Sequence, residues 1–420
     1  MKKIIIGYEK YDPTTTEGWN YNGRINHSKL SKPYEPINPW LDNIYKCLID
    51  PFSTPDSYKM HSCLFESITP YSEHVNMQVD KIPENKTYFY PILLVNIGLY
   101  IRYTNTIDIS EKVRQDVLNK KAFIIFVYDN EGDLRNVYEK FSELIINLNL
   151  PKDRVIVLHG DLDVKFFSNA PFTYYPMRTY FMHWLSQYKD CYINQNYILE
   201  KLYLTHNRTI RPHKQLMLYS LVENDLVDDG VISCGNLYSF EIFKQYGYTF
   251  TDNNLVKLIK LQMSSTDNQI ENGEIRNMPS HIDLQSFENT FVSLVTETLE
   301  NSIFMSEKTF KPILVMHPFI ILSGKGHLSE LQNLGFKTFN NFWNEDYDQE
   351  SDLILRIRKI TKILLYLKNL SKQDLYKMRT AMNDILLYNR QLLLSYINKS
   401  STTYHGRCEI KQLFQNLNDQ

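Results

Sequence analysis

Short apolar runs rich in β-branched and aromatic residues alternate with polar, helix-periodic segments twice along this chain, and no other feature constrains its fold as much. In the first half the runs are Ile4 to Gly7, Tyr88 to Asn96, Ala122 to Tyr128 and Arg154 to His159. Between the last three, the segment opening Ser110-Glu-Lys-Val-Arg begins on a capping residue and carries apolar residues near helical spacing. Leu134 to Leu148 repeats that style before Pro151. Strand, helix, strand alternation of this kind predicts parallel pairing in a Rossmann-like sheet. Residues Tyr11 to Ile82 do not share the pattern. Being rich in Asn, Pro, Ser and Tyr, they predict long loops and short helices over the carboxyl edge of the sheet, where acceptors bind in such folds.

A helical segment around Thr179 to Tyr188, followed by Tyr192 to Tyr197, leads into the second alternation. Leu202-Tyr-Leu-Thr-His-Asn reads as a strand and Pro212 to Asn224 as a helix with Pro in its first turn. The strand Gly230 to Gly235 follows, then a strand from Phe291, a helix over 306–316, a buried strand Pro318 to Leu322, and a short helix Leu328 to Asn333 before a new element at Lys337-Thr-Phe. From Glu350 to Leu393, Leu, Ile and Met recur at three- and four-residue spacing, which predicts helix. The economical architecture is α/β: a Rossmann-like N-terminal domain over 1–195, a second over 196–385, the two facing a cleft, and a helical tail over 386–420 that packs back on the first.

Composition narrows the function classes. At 420 residues the chain exceeds one core of roughly 150 residues. A net charge of −2 does not mark a general polyanion binder. The cysteines Cys47, Cys63, Cys191, Cys234 and Cys408 are scattered and lack paired ligand spacing, so they read as buried thiols in a reducing compartment. Met1-Lys-Lys-Ile-Ile-Ile is too brief for a signal peptide, and no run approaches the roughly 18 apolar residues of a membrane span. A cytoplasmic protein without a membrane span is expected, of open oligomeric state.

The densest chemistry lies in Ser306-Glu-Lys-Thr-Phe-Lys311, which runs into an apolar segment ending at Gly324. Ser306 and Thr309 are capping residues, Glu307 offers an acceptor for ribose hydroxyls, and Lys308 and Lys311 offer cations for phosphate. The same residues also make an ordinary helix start with a surface ion pair. Upstream, Arg208, Arg211 and Lys214 follow the strand ending at His206-Asn207. Cations and free amides there suit a pyrophosphate, each charge-assisted bond contributing about 1.5–3 kcal/mol, with a solvated basic loop as the plainer alternative. Glu297 ends an apolar strand and suits a sugar or ribose hydroxyl, while Glu300 reads as the exposed partner of a lysine. Gly324-Lys-Gly326 lacks the spacing of either Gly-rich fingerprint and reads as a strand-to-helix turn.

Thr205-His-Asn-Arg208-Thr-Ile-Arg211 to Gly235, Phe291-Val-Ser-Leu-Val-Thr-Glu297, Ser306-Glu-Lys-Thr-Phe-Lys-Pro-Ile313 and His317-Pro-Phe-Ile320 together resemble the donor domain of GT-B glycosyltransferases. The α-1,3-fucosyltransferase-like branch is the most similar, along with many phage and giant-virus proteins. The resemblance covers roughly Leu202 to Tyr347, and Met316-His317 stands where the family usually has a smaller, Gly-containing turn. It implies that Glu307 holds the donor ribose, that Lys308 and either Arg208 or Arg211 hold the phosphates, and that catalysis needs no metal and no cofactor beyond a UDP- or GDP-linked sugar as co-substrate. The acceptor is then a glycan, a protein or modified DNA.

Transfer of this kind needs a base for the acceptor hydroxyl. Glu131 is preferred because Gly132 permits close approach, with Asp129 next; both follow the Ala122 to Tyr128 strand. Glu9, Asp161 and His159 also stand at strand ends. For a hydroxymethylated DNA base as acceptor, Arg356, Arg358, Lys359 and Lys362 would form a phosphate-tracking stripe. The non-enzymatic alternative is a nucleotide-binding or assembly protein of the same shape.

Overall fold

A computed structural model describes residues 4–8, 74–94, 109–128, 134–176, 188–193, 198–207, 211–235, 251–264, 270–271, 274–275 and 282–398, with isolated positions 182, 185, 237 and 246. The chain divides into two compact units, Met1–Tyr180 with Lys399–Gln420, and Phe181–Asn398.

The first unit contains β1 (Ile4–Tyr8), β2 (His74–Gln78), β3 (Tyr88–Leu94), α1 (Glu111–Leu118), β4 (Ala122–Tyr128), α2 (Leu134–Asn147), β5 (Val155–His159) and β6 (Thr173–Pro176). The strands form one six-stranded sheet in the order β2-β1-β3-β4-β5-β6, every pair parallel. Its inner strands are continuous apolar runs because they are covered on both faces. Tyr88, Phe89, Tyr90, Phe123, Ile124, Phe126, Val155 and Val157 are fully buried. The Ser110 side chain caps α1 by accepting from the Val113 N–H at 3.2 Å. Tyr88 is buried with its hydroxyl donating to Asp116 of α1 at 2.9 Å. Gly7 makes room for that ring, since a Cβ there would lie 2.4 Å from it. β2 arises in the region read as loops and short helices, and β6 was not anticipated. Both are edge strands, and neither His-Val-Asn-Met-Gln nor Thr-Tyr-Tyr-Pro carries an apolar run.

The second unit runs β7 (Lys201–Asn207), α3 (Pro212–Glu223), β8 (Gly230–Cys234), α4 (Asp252–Ser264), the short antiparallel pair β9 (Ile270–Glu271) and β10 (Glu274–Ile275), then α5 (Leu284–Glu288), β11 (Thr290–Thr296), α6 (Glu307–Leu314), β12 (Phe319–Leu322) and α7 (His327–Asn333). Helices α8 (Leu353–Lys368), α9 (Lys372–Ala381) and α10 (Asn383–Asn398) follow. The sheet order is β12-β11-β7-β8, all parallel. From β7 the chain proceeds to one side and from β11 to the other. The carboxyl ends of β7 and β11 are therefore the topological switch point, where parallel α/β sheets bind ligands.

Every residue of α3 from His213 to Val222 is buried, because the helix packs against both α4 and α8, and Ser220 Oγ meets Thr361 Oγ1 at 2.9 Å. Helix α10 packs on α6 within the second unit, and Tyr396 donates to the Leu334 carbonyl at 2.7 Å. No regular element starts at Lys337; instead its N–H and carbonyl pair with the Asn389 side chain at 2.8 Å each, an amide standing in for a strand partner. Most of the 179–188 segment lies outside the described residues. Among the described residues no helix is long and apolar enough to cross a membrane.

Candidate functional site

β11 ends at Thr296, and the next residue, Glu297, is fully buried. Its Oε1 accepts from the backbone N–H groups of Ser306 (3.1 Å) and Thr309 (3.2 Å) and from Thr309 Oγ1 (2.6 Å). Its Oε2 accepts from the Thr298 N–H (3.0 Å) and from Ser306 Oγ (2.7 Å). Ser306 is the N-cap of α6 and accepts from the Lys308 N–H at 3.2 Å. The helix start thus already holds an anion, and that anion belongs to the chain. Burial pushes the Glu297 carboxyl up, but Lys308, His327 and the Thr309 and Ser306 hydroxyls outweigh it and hold it below the ordinary carboxylate range.

Lys308 Nζ lies 3.1 Å from Glu307 Oε1, 3.2 Å from Ser306 Oγ and 3.5 Å from Thr298 Oγ1, with 24% of its side chain exposed. Glu307 is buried, and its Oε2 has no hydrogen-bond partner among the described residues. A buried acceptor without a donor costs about 1–3 kcal/mol, so a hydroxyl supplied from outside would be stabilised there. Lys311 is half-buried one turn along the same helix face.

The far end of α6 is held equally firmly. The Leu314 carbonyl accepts from Arg390 Nε at 3.0 Å, the Met316 carbonyl from Arg379, and the Val315 carbonyl from the Ile193 N–H at 3.1 Å. Met316 takes a φ of 61°, and the bonds from His317 N–H to Pro312 O (2.8 Å) and from Met316 N–H to Ile313 O (3.3 Å) complete a Schellman turn. A short helix interrupted by Pro312 is thus bracketed by a carboxylate at its start and guanidinium groups at its end, as its dipole favours.

Helix α3 starts differently. Its N-cap is Arg211, half-buried and without a side-chain cap, and Pro212 is its first residue. His213 Nε2 lies 2.7 Å from the Glu297 carbonyl oxygen, and Nδ1 lies 3.0 Å from Glu300 Oε2. These contacts tie the first turn of α3 to the loop after β11. Among the described residues Glu300 pairs with this histidine, not with the lysine expected. Burial opposes its charge, but His213 and then Arg211 outweigh burial and lower its pKa. Lys214 is buried in the same turn, and Arg208 lies outside the described residues. Beneath, Thr296 Oγ1 donates to Asn207 Oδ1 at 2.5 Å, and Asn207 Nδ2 donates to Thr205 Oγ1 at 3.1 Å, joining the ends of β11 and β7.

Gly324 permits the closest approach in the site, since a Cβ there would lie 2.2 Å from the Ser302 carbonyl oxygen. Gly326, with φ of 85°, is the N-cap of α7, and Asp348 accepts from the Leu328 (2.8 Å) and Ser329 (3.3 Å) N–H groups. The stripe read on α8 is broken. Arg356 is buried and donates to the carbonyls of Glu300 and Glu350 at 3.0 Å and to that of Ser323. Lys359 pairs with Glu350 at 3.2 Å and Asp346 at 3.5 Å, which leaves Arg358 and Lys362 exposed.

In the first unit, Glu9, Asp129 and Glu131 lie outside the described residues. His159 is fully buried, and its Nδ1 accepts from the Asp161 N–H at 3.1 Å, which leaves the ring proton on Nε2. Asp161 is equally buried; its carbonyl accepts from Tyr174 at 2.6 Å and its Oδ1 from the Asp163 N–H at 2.9 Å. Sequence reasoning missed His213, Thr298, His327, Arg379 and Arg390. His213, directly after a helix-starting proline, had a positional signal, whereas the others reach the site only through the fold. Among the described residues no three His, Cys, Asp or Glu side chains gather as a metal site would require.

No protein-family model matches the chain, and no curated protein matches it. Among solved structures it is similar to the DNA-modifying enzyme β-glucosyltransferase, crystallised with and without uridine diphosphoglucose, at 12% identity over 100% of both chains with a TM-score of 0.43. T4 phage BGT in complex with UDP and Mn2+ is similar at 10% identity over 88% of this chain and 96% of that one, TM-score 0.33. The trehalose-6-phosphate phosphatase N-terminal domain of Candida albicans is similar at 10% identity over 96% and 98%, TM-score 0.36.

Proposed function

We propose that the chain is a GT-B-type glycosyltransferase that moves a sugar from a UDP- or GDP-linked donor to an acceptor hydroxyl, with inversion and without a metal. The observation that supports it is the pairing, at the switch point of the second sheet, of Lys308 with a buried Glu307 whose Oε2 lacks a donor. Glu307 takes a ribose hydroxyl and Lys308 a phosphate oxygen. The side chains of Arg208 and Arg211, with the start of α3, complete the diphosphate site. The acceptor oxygen attacks the anomeric carbon, the bond from that carbon to the diphosphate oxygen breaks with its electron pair, and these cations stabilise the leaving group. The acceptor proton passes to a carboxylate, for which Glu131 and then Asp129 are proposed.

Calorimetry with UDP, GDP, ADP and CDP tests the donor site, and the expected result is saturable binding of one of them with thermal stabilisation that grows with its concentration. Absence of binding by all four, with transfer from a donor panel unaffected by Glu307→Ala, would remove the proposal. The acceptor is a glycan, a protein or modified DNA, and DNA binding that weakens steeply with salt would select the last.

A further inference from the structure

We infer that Glu297 is a positioning residue, the internal anion of α6, and that it sets the placement of Glu307 and Lys308 without contacting the donor. The inference rests on the donor-site reading for its substrate. A carboxylate has about four lone-pair directions, and the donors on Glu297 are the Thr298, Ser306 and Thr309 N–H groups with the Ser306 and Thr309 hydroxyls. Nothing is left for a sugar hydroxyl, and the side chain is fully buried.

The capping of α6 is shared between two side chains. An N-cap hydroxyl accepts from the amide two or three residues on, and Ser306 Oγ takes that of Lys308. Here the Thr309 N–H reaches Glu297 Oε1, and Ser306 Oγ donates to the other oxygen of that carboxylate. The end of β11 and the start of α6 are therefore stapled by one side chain. Lys308 Nζ in turn touches Ser306 Oγ and Thr298 Oγ1, on residues that the carboxylate itself holds. A diphosphate then meets side-chain cations at α6, because the Ser306 and Thr309 amides of its first turn are already committed.

The test combines hydrogen exchange across 298–310 with calorimetry against UDP, GDP, ADP and CDP, on wild type, Glu297→Gln and Glu297→Ala with and without formate. The glutamine is nearly isosteric but turns one acceptor into a donor that faces donors. It should speed exchange at Ser306 and Thr309 and weaken the nucleotide that wild type binds by about 10–100-fold. Formate should restore part of the affinity of Glu297→Ala. Asp283→Ala removes a carboxylate cap before β11, at the opposite edge of the sheet, and should leave nucleotide affinity unchanged.

If Glu297→Gln does not fold, Glu297→Asp, which keeps the charge and withdraws the oxygens, should give an intermediate effect in both readouts. Unchanged exchange in a folded variant overturns the inference, as does changed exchange with undiminished affinity, which would make Glu297 merely structural. Changed exchange with no nucleotide bound by wild type removes the donor-site reading and leaves the stapling role standing.

Discussion

Helices α3 and α6 leave the same switch point, each begins in a cluster of positive charge, and each read from sequence as a phosphate-binding start. They are built differently. The start of α6 is filled by the buried Glu297 carboxylate, whereas α3 begins at Arg211 and Pro212 with no side-chain cap. Helix α7 follows the α6 pattern, with Asp348 in the same role. The difference teaches that cations near a helix start do not reveal which anion it serves. A carboxylate brought from elsewhere in the fold takes the amides first, and an external phosphate is left with side chains.

Several variants would break or sharpen this comparison. The largest effect is expected from Glu297→Ala, which leaves buried amides and hydroxyls without their acceptor. It should destabilise the chain by about 3–5 kcal/mol in urea unfolding. Gly324→Ala comes next, at about 1–3 kcal/mol, because its Cβ would strike the Ser302 backbone and push the loop between Glu297 and Ser306.

A pH titration separates the two ends of β11. His317, at the amino end, is buried with Nδ1 2.8 Å from Ser293 Oγ, and burial followed by the Arg379 charge lowers its pKa from 6.5 to about 3. Its folded value lies below its unfolded one, so its contribution is fully present above pH 6.5 and is lost as pH falls towards 3. About 2 kcal/mol should be gone at pH 5, and His317→Gln should flatten that slope. His327, also lowered by burial, adds in the same direction. Glu297, lowered as well, loses its share only below its ordinary value of 4.5. Chemical unfolding across pH 3 to 8 reads both windows.

Smaller effects distinguish the helix starts. Arg211→Ala should weaken nucleotide binding about tenfold, by calorimetry, while shifting the unfolding midpoint little. Ser306→Ala, which removes a cap whose hydroxyl also serves Glu297, should cost about 1 kcal/mol of stability.

The strands that sequence resolved carry short apolar or β-branched runs, whether inside a sheet, as Ala122–Tyr128, or at its edge, as Phe319–Leu322. Residues 122–126 and all of Phe319–Leu322 are buried and apolar, which leaves a run to read. β2 and β6 carry no such run. Helix α6 was visible from Ser306 and its apolar spacing, but Asp252–Ser264 was not, its polar Asp-Asn-Asn start and single buried stripe resembling a loop. At the site, Ser306, Glu307, Lys308 and Thr309 were legible as a group because they are contiguous. The roles of Glu297 and of Arg390 were not, since one acts from ten residues upstream and the other from a different helix.

The sequence by itself determined the α/β class, the parallel pairing and the placing of charged residues at strand ends, because these follow from local periodicity and from the crossovers that helices between strands impose. Only the tertiary structure decided which groups neutralise one another there. Hydrogen-bond partners of a helix start are chosen through space, and the carboxylate that reaches α6 first is set by how β11 and its loop return, which no local pattern records.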